Sequence, residues 1–166
     1  MEIKFKNEGF TLIELIVVIG ILGILAVGAL LVLNPLAQFQ KANDVRRKSD
    51  LAQIQRALEV YYQDNNKYPI VATAPYQIPG VSWGNSWQPY MDVLPQDPSS
   101  SKNYVYYSPS GQSYYIYASL DRGSNDPAAC SGGLCSAPAN SSINMQTACG
   151  SGGDCNYGVS SPDVTP

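Results

Sequence analysis

The chain has 166 residues, room for about one domain, and a formal net charge of −3. A balance so mildly acidic gives no basic footprint for nucleic acid. Histidine is absent, which removes the commonest general base and with it most hydrolase triads, and no phosphate-binding loop replaces it.

Residues 1–9, MEIKFKNEG, are a short polar leader in which Glu2 and Glu8 partly cancel Lys4 and Lys6. Residues 13–33 follow as 21 positions whose only charge is Glu14. At 1.5 Å per residue this run spans the ~30 Å hydrocarbon core of a bilayer. Thr11-x-x-Glu14 fits a capping box, with Thr11 as N-cap and Glu14 at the third helical position. A negative side chain also suits the positive end of the helix dipole. A conventional signal peptide could be cut at the small residues AVGA, 26–29, but the apolar run continues past them and Glu14 interrupts it. A plain signal-anchor explains the length and leaves Glu14 unexplained. Gly20, Gly23, Ala26 and Gly28 offer small faces for close helix approach.

Pro35 predicts a kink or loosening beyond the span. Leu51, Ile54, Leu58 and Tyr61 or Tyr62 then recur at helical spacing, an amphipathic helix stopped by Asn65–Asn66 and Pro69. Arg46–Arg47–Lys48 reads as a solvated face of that helix, with contact to DNA or anionic lipid as the second reading. Residues 70–103 are punctuated by seven Pro or Gly residues and read as irregular loop. NYVYY and SYYIYASL read as strands joined through SPSGQ, an antiparallel pair with one apolar face toward the helix. The sum is an α+β head on a helical stalk. Trp83, Trp87 and Tyr90 lie close together in SWGNSWQPY and are expected to fill a core or subunit interface; glycan or surface binding is the alternative.

The four cysteines fall late, in ACSGGLC and ACGSGGDC. Zinc could use such clusters, but an exported domain meets an oxidising compartment where disulfides are the default. Three connectivities are open. Local pairs, Cys130–Cys135 and Cys149–Cys155, are expected because the intervening glycines allow tight loops.

The glycine-ended leader followed at once by GFTLIEL resembles the type III signal of prepilins, the precursors of type IV pilins and type II secretion pseudopilins. That resemblance implies a membrane prepilin peptidase cutting between Gly9 and Phe10 and methylating Phe10. It also implies that Glu14 neutralises the new Phe10 amine of a neighbouring subunit during filament assembly. DNNKYP, WQPYMDVLPQDP and YVYYSPSGQSYYIYASL resemble the major pseudopilin of type II secretion more loosely, and DPSS departs where that family has an aromatic–glycine pair. The major pseudopilins carry calcium in the loop after this sheet. Here SLDRGSNDP could supply Asp121 and Asp126, with Ser124 or Asn125, although Arg122 between them opposes a cation. No other cofactor is expected.

The resemblance therefore implies a type IV pilin-like fold: leader 1–9, membrane and assembly helix 10–34, amphipathic helix 35–66, and head 67–166 with a cysteine-rich end at 128–166. Its expected partners are the peptidase, identical or related subunits, an inner-membrane assembly platform, and membrane lipid before assembly. The charge rule for membrane orientation would keep Arg46–Lys48 in the cytoplasm. The cysteines and the prepilin signature overrule it and place the head outside the inner membrane, later in a periplasmic or cell-surface filament. The expected role is a structural subunit rather than an enzyme, in secretion, a pilus or DNA uptake. A membrane-anchored extracytoplasmic binding or adhesion module that never polymerises is the alternative.

Overall fold

The computed structural model describes residues 9–151 and 153–166, with backbone only for residues 30–33. The chain divides between Phe39 and Gln40 into two compact units. In the first, α1 runs Leu12–Leu33 and is long and apolar enough to cross a membrane. From Phe10 to Val27 its large apolar side chains are exposed. A helix apolar on every side satisfies its own backbone and needs lipid or other helices around it.

The helix ends two residues before Pro35. Asn34 takes a left-handed backbone, φ 38° and ψ 71°, and α2 begins at Pro35 and runs to Asn65. The reason is local: proline disfavours helical backbone in the residue before it but is well suited to a first helical position, where its missing N–H is an orphan anyway. Asn34 Oδ1 accepts from the Ala37 amide at 3.3 Å, so one asparagine closes α1 and caps α2.

In the second unit, Leu51, Ile54, Ala57 and Leu58 of α2 are buried. They pack in one core with Tyr104, Tyr106, Tyr114, Ile116 and Ala118 from the sheet region. The sheet is antiparallel, in the order β1 (Val105–Tyr107), β2 (Tyr115–Ala118), β3 (Tyr157–Ser160). Tyr106 pairs with Ile116, and Ile116 with Val159. Residues 72–101 add no strand and are pinned instead by single contacts such as the mutual hydrogen bonds of Val71 with Ser108 at their margin. Trp87, buried, sits against Tyr61 and Tyr90, with ring centroids 5.7 and 5.2 Å away.

A sheet with a single apolar face is not what forms. Val105, Tyr107 and Tyr117 point away from α2 into a second core, made with Ile143, Met145 and the cysteines. The pairings are Cys130–Cys135 and Cys149–Cys155. A segment rich in Gly and Ser has little apolar surface to bury, so two cross-links limit the freedom it must lose on covering that face. β3 was invisible in the sequence because YGVS is too short to alternate and follows directly on the second cysteine cluster.

Gly150 is fixed by this arrangement. Its φ is +111°, and an added Cβ would lie 2.3 Å from the Ser101 carbonyl oxygen and 2.6 Å from Lys102 Cα. Both obstacles are backbone, so neither can swing away. Gly150→Ala is expected to cost about 2 kcal/mol or more and to lower the Tm of the detergent-solubilised chain by about 5 °C or more, read by circular dichroism.

Candidate functional site

The first unit carries its chemistry at the start of α1. Thr11 is extended, φ −80° and ψ 150°, and its Oγ1 accepts from the Glu14 amide at 3.3 Å. Glu14 Oε2 accepts in return from the Thr11 amide at 2.8 Å and the Thr11 hydroxyl at 2.6 Å. Two orphan donors of the first turn are thereby satisfied reciprocally. Just before the cap lie Gly9, exposed, and Phe10, 86 % exposed. A Cβ on Gly9 would meet nothing within 4 Å, and its backbone is outside the left-handed region. The chain's own packing therefore does not demand glycine there. Gly20, Gly23 and Gly28 are equally open. The expected leader, residues 1–8 with Lys4 and Lys6, lies outside the described residues.

In the second unit the basic run does not form a solvated face. Arg47 is completely buried, and its neighbours Arg46 and Lys48 are not. Arg47 Nε and Nη2 reach the two oxygens of Asp97 at 2.9 and 3.0 Å, a bidentate pair. Its Nη1 donates to Asp44 Oδ1 and to Asp121 Oδ2, each at 2.9 Å. Asp44 also accepts from the backbone amides of Asp121 and Arg122, at 2.7 and 2.9 Å. Lys102 Nζ lies 2.6 Å from Asp121 Oδ1, and Lys48 pairs with Asp126. Asp121 and Asp126 are thus met by the chain's own cations. A run of three basic residues does not by itself say which one turns inward; the sign is phase, since Arg47 lies four residues before Leu51 on the apolar stripe and Asp44 continues the same face.

Further along α2, the Tyr104 hydroxyl donates to Asp50 at 2.7 Å, and those of Tyr68 and Tyr114 to Glu59 at 3.1 and 3.2 Å. Burial pushes all three phenols above their ordinary values, and the facing carboxylates push them further. Burial likewise raises the Asp50 carboxyl, although the hydrogen bond from Tyr104 opposes it. For Asp121, burial is outweighed by the hydrogen bonds from Lys102 and Arg47, which hold its carboxyl below the usual range. The hydrogen bond from Lys48 does the same for Asp126.

Comparison with known proteins gives two family matches. Residues 4–30 match the "Prokaryotic N-terminal methylation motif", and residues 34–131 match "Type II secretion system (T2SS), protein G". Similar curated proteins carry the name type II secretion system core protein G. The chain is 33 % identical to that of Escherichia coli K12 over 122 residues, 69 % of this chain and 81 % of that one. With that of Vibrio cholerae it shares 34 % identity over 111 residues, 63 % of this chain and 73 % of that one. The match to that of Aeromonas hydrophila is 46 % over 66 residues, 40 % of this chain and only 45 % of that protein's length. No solved structure matches significantly.

The charge network gives the head a definite acid response. Folding lowers the carboxyls of Asp121 and Asp126, so their contribution is present above the ordinary carboxyl range and lost as pH falls through the lowered folded values. Asp50, shifted upward, opposes folding at neutral pH and ceases to do so once protonated. Tm is expected to hold steady down to about pH 5 and to fall below about pH 4. In Asp121→Asn/Asp126→Asn, Tm at pH 7 is expected to be lower and the acid decline shallower. A double variant with the parent's pH profile would contradict this assignment.

Proposed function

We propose, from the fact that this chain belongs to the type II secretion system protein G family, that it is a filament subunit made as a membrane-inserted precursor and trimmed between Gly9 and Phe10. The observation that carries the reading is the start of α1, where a methylation motif over residues 4–30 coincides with one carboxylate on a helix otherwise apolar and exposed. The precursor sits in the inner membrane through α1 with its head outside. A prepilin peptidase cuts after Gly9 and methylates Phe10. The subunit then leaves the lipid for a filament of identical or related subunits, guided by an inner-membrane assembly platform.

Each step uses a stated property of the residues. The open surroundings of Gly9 assign its smallness to the peptidase, which must bring its own groups close to the scissile bond. Cleavage turns the Phe10 amide nitrogen into a charged amine. In an apolar helix bundle that amine needs an opposite charge, and Glu14 is the one carboxylate within the described part of α1. The cap on its own helix can be kept by glutamine, but the pairing with a neighbour's amine needs the charge. Gly20, Gly23 and Gly28 leave room for close helix contact. The role is structural, not catalytic. The family placement favours a secretion pseudopilus over an adhesive or DNA-uptake pilus.

Mass spectrometry of the chain isolated from membranes is expected to show an N-terminus at methylated Phe10. An intact Met1, or cleavage near Ala29, would sink the prepilin reading and leave a membrane-anchored binding module. Gly9→Val is expected to leave the Tm of the head unchanged while unprocessed precursor accumulates. Glu14→Gln is expected to insert and to be processed normally, yet to assemble about tenfold less filament or worse, since an unpaired buried charge costs several kcal/mol. Normal filaments from that variant would refute the charge-pair role.

A further inference from the structure

We propose that the Arg47 guanidinium holds, inside this head, the place that the resemblance to major pseudopilins would give to calcium, so that the head is tied together without a divalent cation. The test of fit is the donor set. Calcium takes six to eight oxygens at about 2.3–2.6 Å, and carboxylates are its main anionic ligands. The carboxylates gathered around this loop are Asp44, Asp97, Asp121 and Asp126, and every one of their eight oxygens already accepts from an N–H of the chain. Asp97 takes Arg47 on both oxygens and the Ser99 amide at 2.8 Å. Asp44 takes Arg47 and two backbone amides. Asp121 takes Arg47 on one oxygen and Lys102 on the other. Asp126 takes Lys48 on one and the Ala128 amide, at 2.9 Å, on the other. Among the described residues, no group of three or more His, Cys, Asp or Glu side chains is arranged to hold a metal ion.

The substitute does the mechanical work that a bound ion would do. Asp44 and Arg47 belong to α2, Asp97 to the long loop before β1, and Asp121 to the loop after β2. One planar cation therefore joins the helix to both loops, with four of its five N–H donors engaged. Its three partner carboxylates accept at 2.9–3.0 Å from N–H groups fixed in the guanidinium plane. A spherical ion could not replace it without moving all three segments. Lys102 secures the same loop through Asp121 and the Ser119 carbonyl at 3.2 Å. The proposal concerns the head alone and does not depend on whether the chain polymerises.

The experiment is thermal unfolding of the full-length chain in detergent micelles, with EDTA, with about 10 mM calcium, and with about 10 mM magnesium as an ionic control. That calcium concentration is about ten to a hundred times the dissociation constants of extracellular sites. An occupied site would raise Tm by about 3–10 °C. The expected result is the same Tm in all three within about 1 °C, and a rise specific to calcium overturns the proposal. In the second arm, Arg47→Lys keeps a charge but loses the fork. It is expected to lower Tm by about 5 °C or more, or to prevent folding, and a variant as stable as the parent would equally overturn the proposal. The calcium arm uses the unaltered chain and decides the matter even where the variant does not fold.

Discussion

Taking a guanidinium out of water costs several kcal/mol, and position 47 recovers that cost only because three carboxylates and a fixed geometry meet it. The placement follows from the helix period. Asp44, Arg47, Leu51, Ile54 and Leu58 fall three or four residues apart and form one buried stripe of α2. Where the stripe faces the sheet it is apolar. Where it faces loops it is charged, because loops bring backbone amides and carboxylates that an apolar side chain could not satisfy. One ionic junction therefore ties the helix to both loops.

The same logic explains why so many tyrosines line the core between the sheet and the helix. A buried phenol fills space as well as phenylalanine but must place its hydroxyl. Asp50 and Glu59, on the flanks of the α2 stripe, supply acceptors for Tyr104, Tyr68 and Tyr114, while the Tyr106 hydroxyl reaches the Pro69 carbonyl at 2.8 Å. Each hydroxyl that finds Asp50 or Glu59 fixes the helix at another point along its length. Aliphatic contacts alone tolerate small slides; hydrogen bonds at the ends of rigid rings do not. On the opposite face, where no helix offers acceptors, the cover is made by a cross-linked segment instead. That segment lies mostly beyond the stretch matched by the protein G family, which ends at residue 131.

What could be read from the sequence was whatever depends on short-range order. The apolar span, the Thr11–Glu14 cap and the stripe from Leu51 to Leu58 declare themselves through length and spacing, and the first two strands through their density of Tyr, Val and Ile. The local disulfides follow from glycine-rich intervals that let neighbours meet. The ion partners of Arg47 and the strand β3 did not declare themselves, and for one shared reason. The environment of each is supplied by residues far along the chain: Asp97 and Asp121 for the arginine, Tyr115–Ala118 for the strand. Composition priors then assign a basic run to solvent and the four residues YGVS to loop. Asn34 is an intermediate case, since the proline after it announced a break and only its position was off by a residue.

The two units use charge in opposite ways. In the head, every carboxylate of the loop cluster finds its partner inside the chain, and the result is a closed junction with nothing left to recruit. At the start of α1, the partners of Glu14 among the described residues are the Thr11 hydroxyl and the Thr11 backbone amide of its own helix. Neither of these neutralises a charge. Capping by a neutral group stabilises the helix start by about a kcal/mol, whereas pairing a carboxylate with an ammonium in a low-dielectric bundle is worth more once both are already desolvated. Under the proposed function the cap is therefore a resting arrangement. It orders the first turn while no amine exists, and it yields to the stronger partner only after cleavage has created one at Phe10 and a neighbour has brought it near. Assembly before processing would leave the carboxylate desolvated and unmatched. The order of the two events is then enforced by the electrostatics of a single residue.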